Sequence, residues 1–153
     1  MIKLRPFQFA CAFLVWGTAW PAFAELLISD AWIAAAPPGV RTMAGYFSVA
    51  NEGAHDSHIV GATSPDFERI ELHAVVSDGQ MHGMRELEQI TVPAGDTISL
   101  APGERHLMLI DGGCHLKSGD SVFVKLRLSD NVTLPVTFEV RSRDTAAAAH
   151  NLH

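Results

Sequence analysis

From Leu26 to Arg141 the chain is built of short runs rich in Val, Ile, Leu, Thr and Phe, separated by clusters of Gly, Pro, Asp, Asn and Ser. Within the runs apolar and polar positions tend to alternate singly, as a strand with one face on a core requires, and no helical period precedes the C-terminal tail. The pattern predicts strands over residues 26–35, 42–50, 58–63, 69–76, 80–88, 97–100, 106–110, 121–128 and 132–141. Pro37-Pro38-Gly39, Asn51-Glu52-Gly53, Ser77-Asp78-Gly79, Pro93-Ala94-Gly95, Pro102-Gly103, Ser118-Gly119-Asp120 and Ser129-Asp130-Asn131 lie between them, each with residues that tight turns demand. So many strands at such short spacing imply an all-β sandwich or barrel with Greek-key connections.

The ends read differently. Lys3 and Arg5 precede an apolar run from Phe7 to Trp20, which closes on the small-residue triplet Ala22-Phe23-Ala24. That is the pattern of a secretory signal peptide over residues 1–24, with Glu25 as the first mature residue. The run is too short for a comfortable membrane span, which needs about 20 residues, so no membrane insertion is expected after cleavage. Cys11 sits midway through it, after Gln8-Phe9-Ala10, and lipidation there is not expected. Residues 25–143 then form one domain, and residues 144–153, with His150 and His153 in an Ala-rich context, form a mobile tail.

Charge and cysteine content narrow the class. Residues 1–24 carry two of the 11 basic residues and none of the 17 acidic ones, so the mature chain has net charge −8. A negative field disfavours nucleic acid and anionic membrane surfaces and favours cations and basic partners. Cys114 is the single cysteine left after cleavage, so no intramolecular disulfide forms and the packed core must supply stability.

Candidate chemistry lies in three segments. Strand alternation sends His106 and Met108 to one face, opposite Leu107 and Leu109, and places them at a strand edge or loop mouth if the leucines face the core. In Arg69-Ile70-Glu71-Leu72-His73 the same alternation puts Glu71 and His73 together. A hairpin through Asp78-Gly79 brings Met84 back toward His73. Two imidazoles and two thioethers make a soft, neutral donor set. Thioether sulfur selects Cu(I), and it stays a ligand where a cysteine pair would oxidise.

The spacing His73, ten residues, Met84, twenty-one residues, His106, one residue, Met108 resembles the signature of the PCuAC family of periplasmic copper chaperones. By chance it arises in roughly one chain in several thousand. The resemblance extends over Asp30-Ala31-Trp32, Ala44-Gly45-Tyr46-Phe47, Asn51 and Leu116-Lys117-Ser118-Gly119-Asp120. It implies a cupredoxin-like antiparallel Greek-key β-sandwich that binds one copper ion, preferably Cu(I), through His73, Met84, His106 and Met108. It also implies transfer to the CuA centre of cytochrome c oxidase, on subunit II, or to a thiol-bearing assembly factor. The chain departs from the family pattern at Ala74, where Met is frequent, and at Asp111-Gly112-Gly113-Cys114-His115, which replaces a more apolar, basic stretch.

Other metal-capable residues are read more plainly. Met43 is expected in the core and His55 and His58 in solvent, while Cys114 is read as a half-buried structural residue or, beside His115, as a second metal site or reactive thiol. Met81 and His82 are auxiliary donors or hairpin residues. His150 and His153 either complete a Cu(II) site or are a solvated end. A blue-copper electron carrier needs a Cys-His-Met loop, and no Met follows Cys114. A zinc hydrolase would take nitrogen and oxygen ligands, not two thioethers. The chain is therefore read as a monomeric carrier and not an enzyme, with periplasmic copper buffering or resistance, through Cu(I) and Cu(II), as the alternative.

Overall fold

The computed structural model describes residues 26–77, 82–112 and 115–142. They form ten strands: β1 (Leu26–Ala34), β2 (Met43–Asn51), β3 (Ser57–Ser64), β4 (Phe67–Ser77), β5 (His82–Glu86), β6 (Ile90–Val92), β7 (Thr97–Leu100), β8 (Arg105–Gly112), β9 (Ser121–Leu128) and β10 (Thr133–Arg141). β7 and β9 have the bounds expected from the sequence, and most others shift by a residue or two at their ends. β6 was not expected: Ile90-Thr91-Val92 is too short for alternation to register. The signal peptide, the Asp78-Gly79 turn, Met81, Cys114 and the tail with His150 and His153 lie outside the described residues.

The expected two-layer sandwich is realised as one sheet that closes on itself. Its order runs β4-β8-β2-β1-β10-β9-β3, and β3 pairs back to β4 to complete a seven-stranded barrel, with β5, β6 and β7 attached to its margins. Neighbours are antiparallel except β1 and β10, which pair in parallel through Trp32, Ile33 and Ala34. Closure satisfies the backbone of both would-be edge strands.

Alternation fills the barrel. On β9 every second residue is buried, and Val122, Val124 and Leu126 are fully so. Phe47 of β2 meets Phe138 of β10 edge to face at 5.9 Å in the middle of the core. Gly45 faces inward on β2 because a Cβ there would lie 3.1 Å from Leu109 Cδ1 and 3.5 Å from Leu107 Cβ. Met43 is buried beside them, as the sequence predicts.

Asn51, at the end of β2, is buried and fully engaged: its Nδ2 donates to the carbonyls of His55 and Val92, at 2.8 and 2.9 Å, and its Oδ1 accepts from Gly53 N at 3.0 Å. It ties the 52–56 loop and β6 to the barrel. β1 carries a bulge between Ser29 and Trp32, where Asp30 adopts φ 47° and its carboxylate accepts from Arg141 Nη1 at 2.8 Å. The bulge re-phases β1, so that Trp32 stands opposite Tyr46 on the outside and Ile33 points into the core.

Candidate metal centre

β4 and β8 are paired so that His73 stands directly opposite His106, and Glu71 opposite Met108. On the far side of β4, Met84 of β5 stands opposite Val75. Directly opposed residues of an antiparallel pair share a face, and so do residues two apart on one strand. His73, His106, Met84, Met108 and Glu71 therefore all project from the outer surface, while Leu72, Leu107 and Leu109 are buried inside.

His73 is the hub. His106 is its direct partner, with ring centroids 5.8 Å apart. Met108 and Met84 are its diagonal neighbours on opposite sides, at the ~7–8 Å Cα separation that long side chains bridge. The two methionines differ in setting: Met108 is half-buried within the sheet, whereas Met84 lies on the edge strand β5 and is 64% exposed.

The sequence placed His106 and Met108 at a strand edge or loop mouth, and the structure corrects this. β8 is an inner strand, flanked by β4 and β2. His106 is only 6% exposed even though it faces outward. What covers it is a row of rings across four strands: Trp32 packs against Tyr46 in a tilted arrangement at 4.6 Å, Tyr46 lies 6.3 Å from His106, and His73 completes the row.

This setting controls protonation. Burial pushes the His106 imidazole below its ordinary 6.5, outweighing a hydrogen bond with the backbone of Glu104 that acts the other way, and the adjacent His73 adds to the lowering. His106 is thus a neutral lone-pair donor near neutrality. His73 Nε2 lies 2.9 Å from Glu71 Oε2, and that hydrogen bond, helped by Arg69, holds the Glu71 carboxyl below its ordinary 4.5 against a smaller opposing effect of burial. The other ring nitrogen, Nδ1 of His73, is buried and has no hydrogen-bond partner.

An orphaned imidazole nitrogen, a second neutral imidazole and a thioether on one face fit a soft metal ion. Among the described residues no three His, Cys, Asp or Glu side chains converge on one point. Met108 and Met84 flank the imidazole pair on this face.

Residues 26–140 match the family described as "Putative lipoprotein LpqE-like". The chain belongs to the LpqE-like family. A relative from Leifsonia xyli subsp. xyli (strain CTCB07), "Putative lipoprotein Lxx21020", is 36% identical over 115 residues, which is 74% of this chain and 68% of that protein. Among solved structures, the copper-bound PCuAC domain from PmoF2 is 19% identical with a TM-score of 0.67, over 77% of this chain and 93% of that one. The Cu(I) form of DR1885 from Deinococcus radiodurans is 30% identical with a TM-score of 0.65, over 80% of this chain and 82% of that one. The LpqE-like chain therefore has the all-β, cupredoxin-like fold of the PCuAC domains, which are its structural neighbours.

His58 is half-buried, with Nδ1 3.0 Å from Thr91 Oγ1, where the sequence placed it in solvent. His55 and His115 are exposed. Trp32, Tyr46 and Glu71 had no assigned role at the site from sequence. Glu71 was legible from its alternation with His73, and Tyr46 from its alternation with Phe47. Trp32 was not, because the bulge in β1 breaks the period just before it.

Proposed function

We propose that this LpqE-like protein is an extracytoplasmic copper carrier that holds one Cu(I) through His73, Met84, His106 and Met108 and passes it to an acceptor protein. The observation that carries the reading is the buried, unpartnered Nδ1 of His73 with His106 opposite and Met108 diagonal to it. A lone pair withheld from both water and protein is satisfied by a Lewis acid, and the thioether beside it selects copper. The likeness to the Cu(I) form of DR1885 supports the same choice.

Transfer rather than storage is supported by Met84, which stands exposed on an edge strand where an acceptor can reach it without opening the barrel. Acceptors of matching chemistry are the CuA centre of cytochrome c oxidase subunit II and thiol-bearing assembly factors. A monomer with an acidic surface meets them through basic patches around their own sites. The name shared by the family and the Leifsonia relative supports an envelope location. For this chain we place the mature terminus at Glu25, and the intact mass of the exported protein separates that terminus from one acylated at Cys11.

Anaerobic titration with Cu(I) and X-ray absorption test the site. One equivalent is expected to bind with sulfur and nitrogen in its shell. Met84→Ala and Met108→Ala should weaken Cu(I) more than Cu(II), whereas His73→Ala and His106→Ala should weaken both, because sulfur discriminates between the oxidation states and imidazole does not. Equal losses of both ions in the methionine variants would remove thioether ligation, and with it the reading.

A further inference from the structure

Glu71 is not among the proposed copper donors, yet it is the residue most closely tied to them. Its Oε2 meets His73 Nε2 at 2.9 Å, and its Oε1 is paired with Arg69 Nε. Arg69, Glu71 and His73 are alternate residues of β4, so the three stand in file on the outer face. Both carboxylate oxygens are thus engaged within the file, which leaves Glu71 poorly placed to be a ligand itself.

An ionised carboxylate only accepts hydrogen bonds. Its contact with Nε2 therefore requires the imidazole proton to sit on that nitrogen. A neutral imidazole has one N–H, so Nδ1 must carry the free lone pair, and Nδ1 is the buried atom without a partner. The hydrogen bond on one side of the ring assigns the tautomer, and the unpartnered nitrogen on the other side is then the atom left free to donate.

We propose that Glu71, itself held by Arg69, is a positioning residue that fixes His73 in its Nε2–H tautomer and so assigns Nδ1 as the atom that donates to copper. The inference rests on the copper-carrier reading for the identity of the ion, but the tautomer belongs to the metal-free protein. A carboxylate behind a ligating imidazole both orients the ring and strengthens its donor nitrogen. Arg69 balances the carboxylate charge, so the gain in donor strength comes without a net negative charge, which would favour harder cations.

Long-range proton–nitrogen correlation spectra of the ¹⁵N-labelled protein, without metal and with anaerobic Cu(I), read the assignment directly. Metal-free protein should show His73 with its proton on Nε2, and Cu(I) should shift Nδ1 while that proton stays. Glu71→Ala should give mixed tautomers and raise the Cu(I) dissociation constant by about 10–100-fold. Glu71→Gln keeps an accepting oxygen and should keep the tautomer, with an affinity close to wild type; this rescue separates positioning from a merely structural role. Loss of the Nε2 proton on copper binding would overturn the proposal, as would a Glu71→Ala variant with unchanged tautomer and affinity. Should Glu71→Ala not fold, Glu71→Gln and Arg69→Ala decide on the same readouts, Arg69→Ala being expected to loosen the tautomer in part. A wild-type protein that takes up no Cu(I), or a His73→Ala variant that binds it undiminished, would instead sink the copper reading and leave the tautomer result standing.

Discussion

His106 is a polar side chain on the outward face of a strand that is nevertheless buried, and two rings make it so: Tyr46 on one flank and His73 on the other. The same packing that prepares it as a neutral donor gives the metal-free protein a pH dependence. Because its folded value lies below 6.5, the unfolded chain takes up this proton first, and each proton bound only by the unfolded state erodes stability. The contribution of His106 is therefore complete above about pH 6.5 and is lost as the pH falls from there toward its folded value. Glu71 acts lower down with the same sign: its folded value lies below 4.5, so its share is present above that pH and disappears as the pH falls through the folded value. Urea midpoints of metal-free protein should accordingly drop between pH 7 and 5, and His106→Gln should lose most of that slope. A midpoint that rises on acidification over this range would contradict the packing described for His106.

Strands differ in how plainly they announce themselves. β9 alternates without a break, and its bounds and buried face follow from the pattern alone. On β8, Leu107 and Leu109 declare the inner face, so the outward direction of His106 and Met108 was legible too. Neither pattern contains the pairing of β4 with β8, which sets His73 opposite His106; that register depends on how the whole sheet closes and is invisible to local periodicity. The end of β8 shows what holds it. A Cβ on Gly112 would collide with the Asp66 carbonyl oxygen and lie 2.8 Å from Phe67 Cα, and these are backbone atoms that cannot swing aside. Gly112 and Phe67 are paired, so the close approach fixes the far end of the ladder that carries the site. Gly112→Ala is expected to cost about 3 kcal/mol or more, in the upper range for overpacking, and to lower the urea midpoint of unfolding. It should also weaken Cu(I), since a displaced β8 carries His106 and Met108 with it. A variant with wild-type stability and affinity would show that this end of the ladder does not set the register.

Closure of the barrel encloses one continuous apolar core, so the fold is expected to form without metal and copper to add stability by mass action. It also decides what the C-terminal segment can reach. Arg141, where β10 ends, is paired with Ala34, Ala34 with Ala44, and Ala44 with Met108, so the chain leaves the barrel on the row that holds Met108, three strand spacings away. At ~4.8 Å per spacing that is about 14 Å. His150 follows Arg141 by nine residues, and an extended chain covers about 30 Å in that length. Reach therefore does not prevent His150 and His153 from meeting an ion bound at the imidazole pair. Cu(I) is satisfied by two imidazoles and two thioethers, whereas Cu(II) prefers more nitrogen than the barrel supplies. Deleting residues 146–153 is thus expected to leave Cu(I) affinity nearly unchanged and to lower Cu(II) affinity. Ordering the segment costs of order 1 kcal/mol per residue fixed, which keeps the oxidised site weaker than a preformed one. Electron paramagnetic resonance of the Cu(II) form reports the nitrogen count with and without the deletion. Identical spectra and affinities would show that the tail takes no part, leaving the imidazole pair and the two methionines as the complete donor set for either ion.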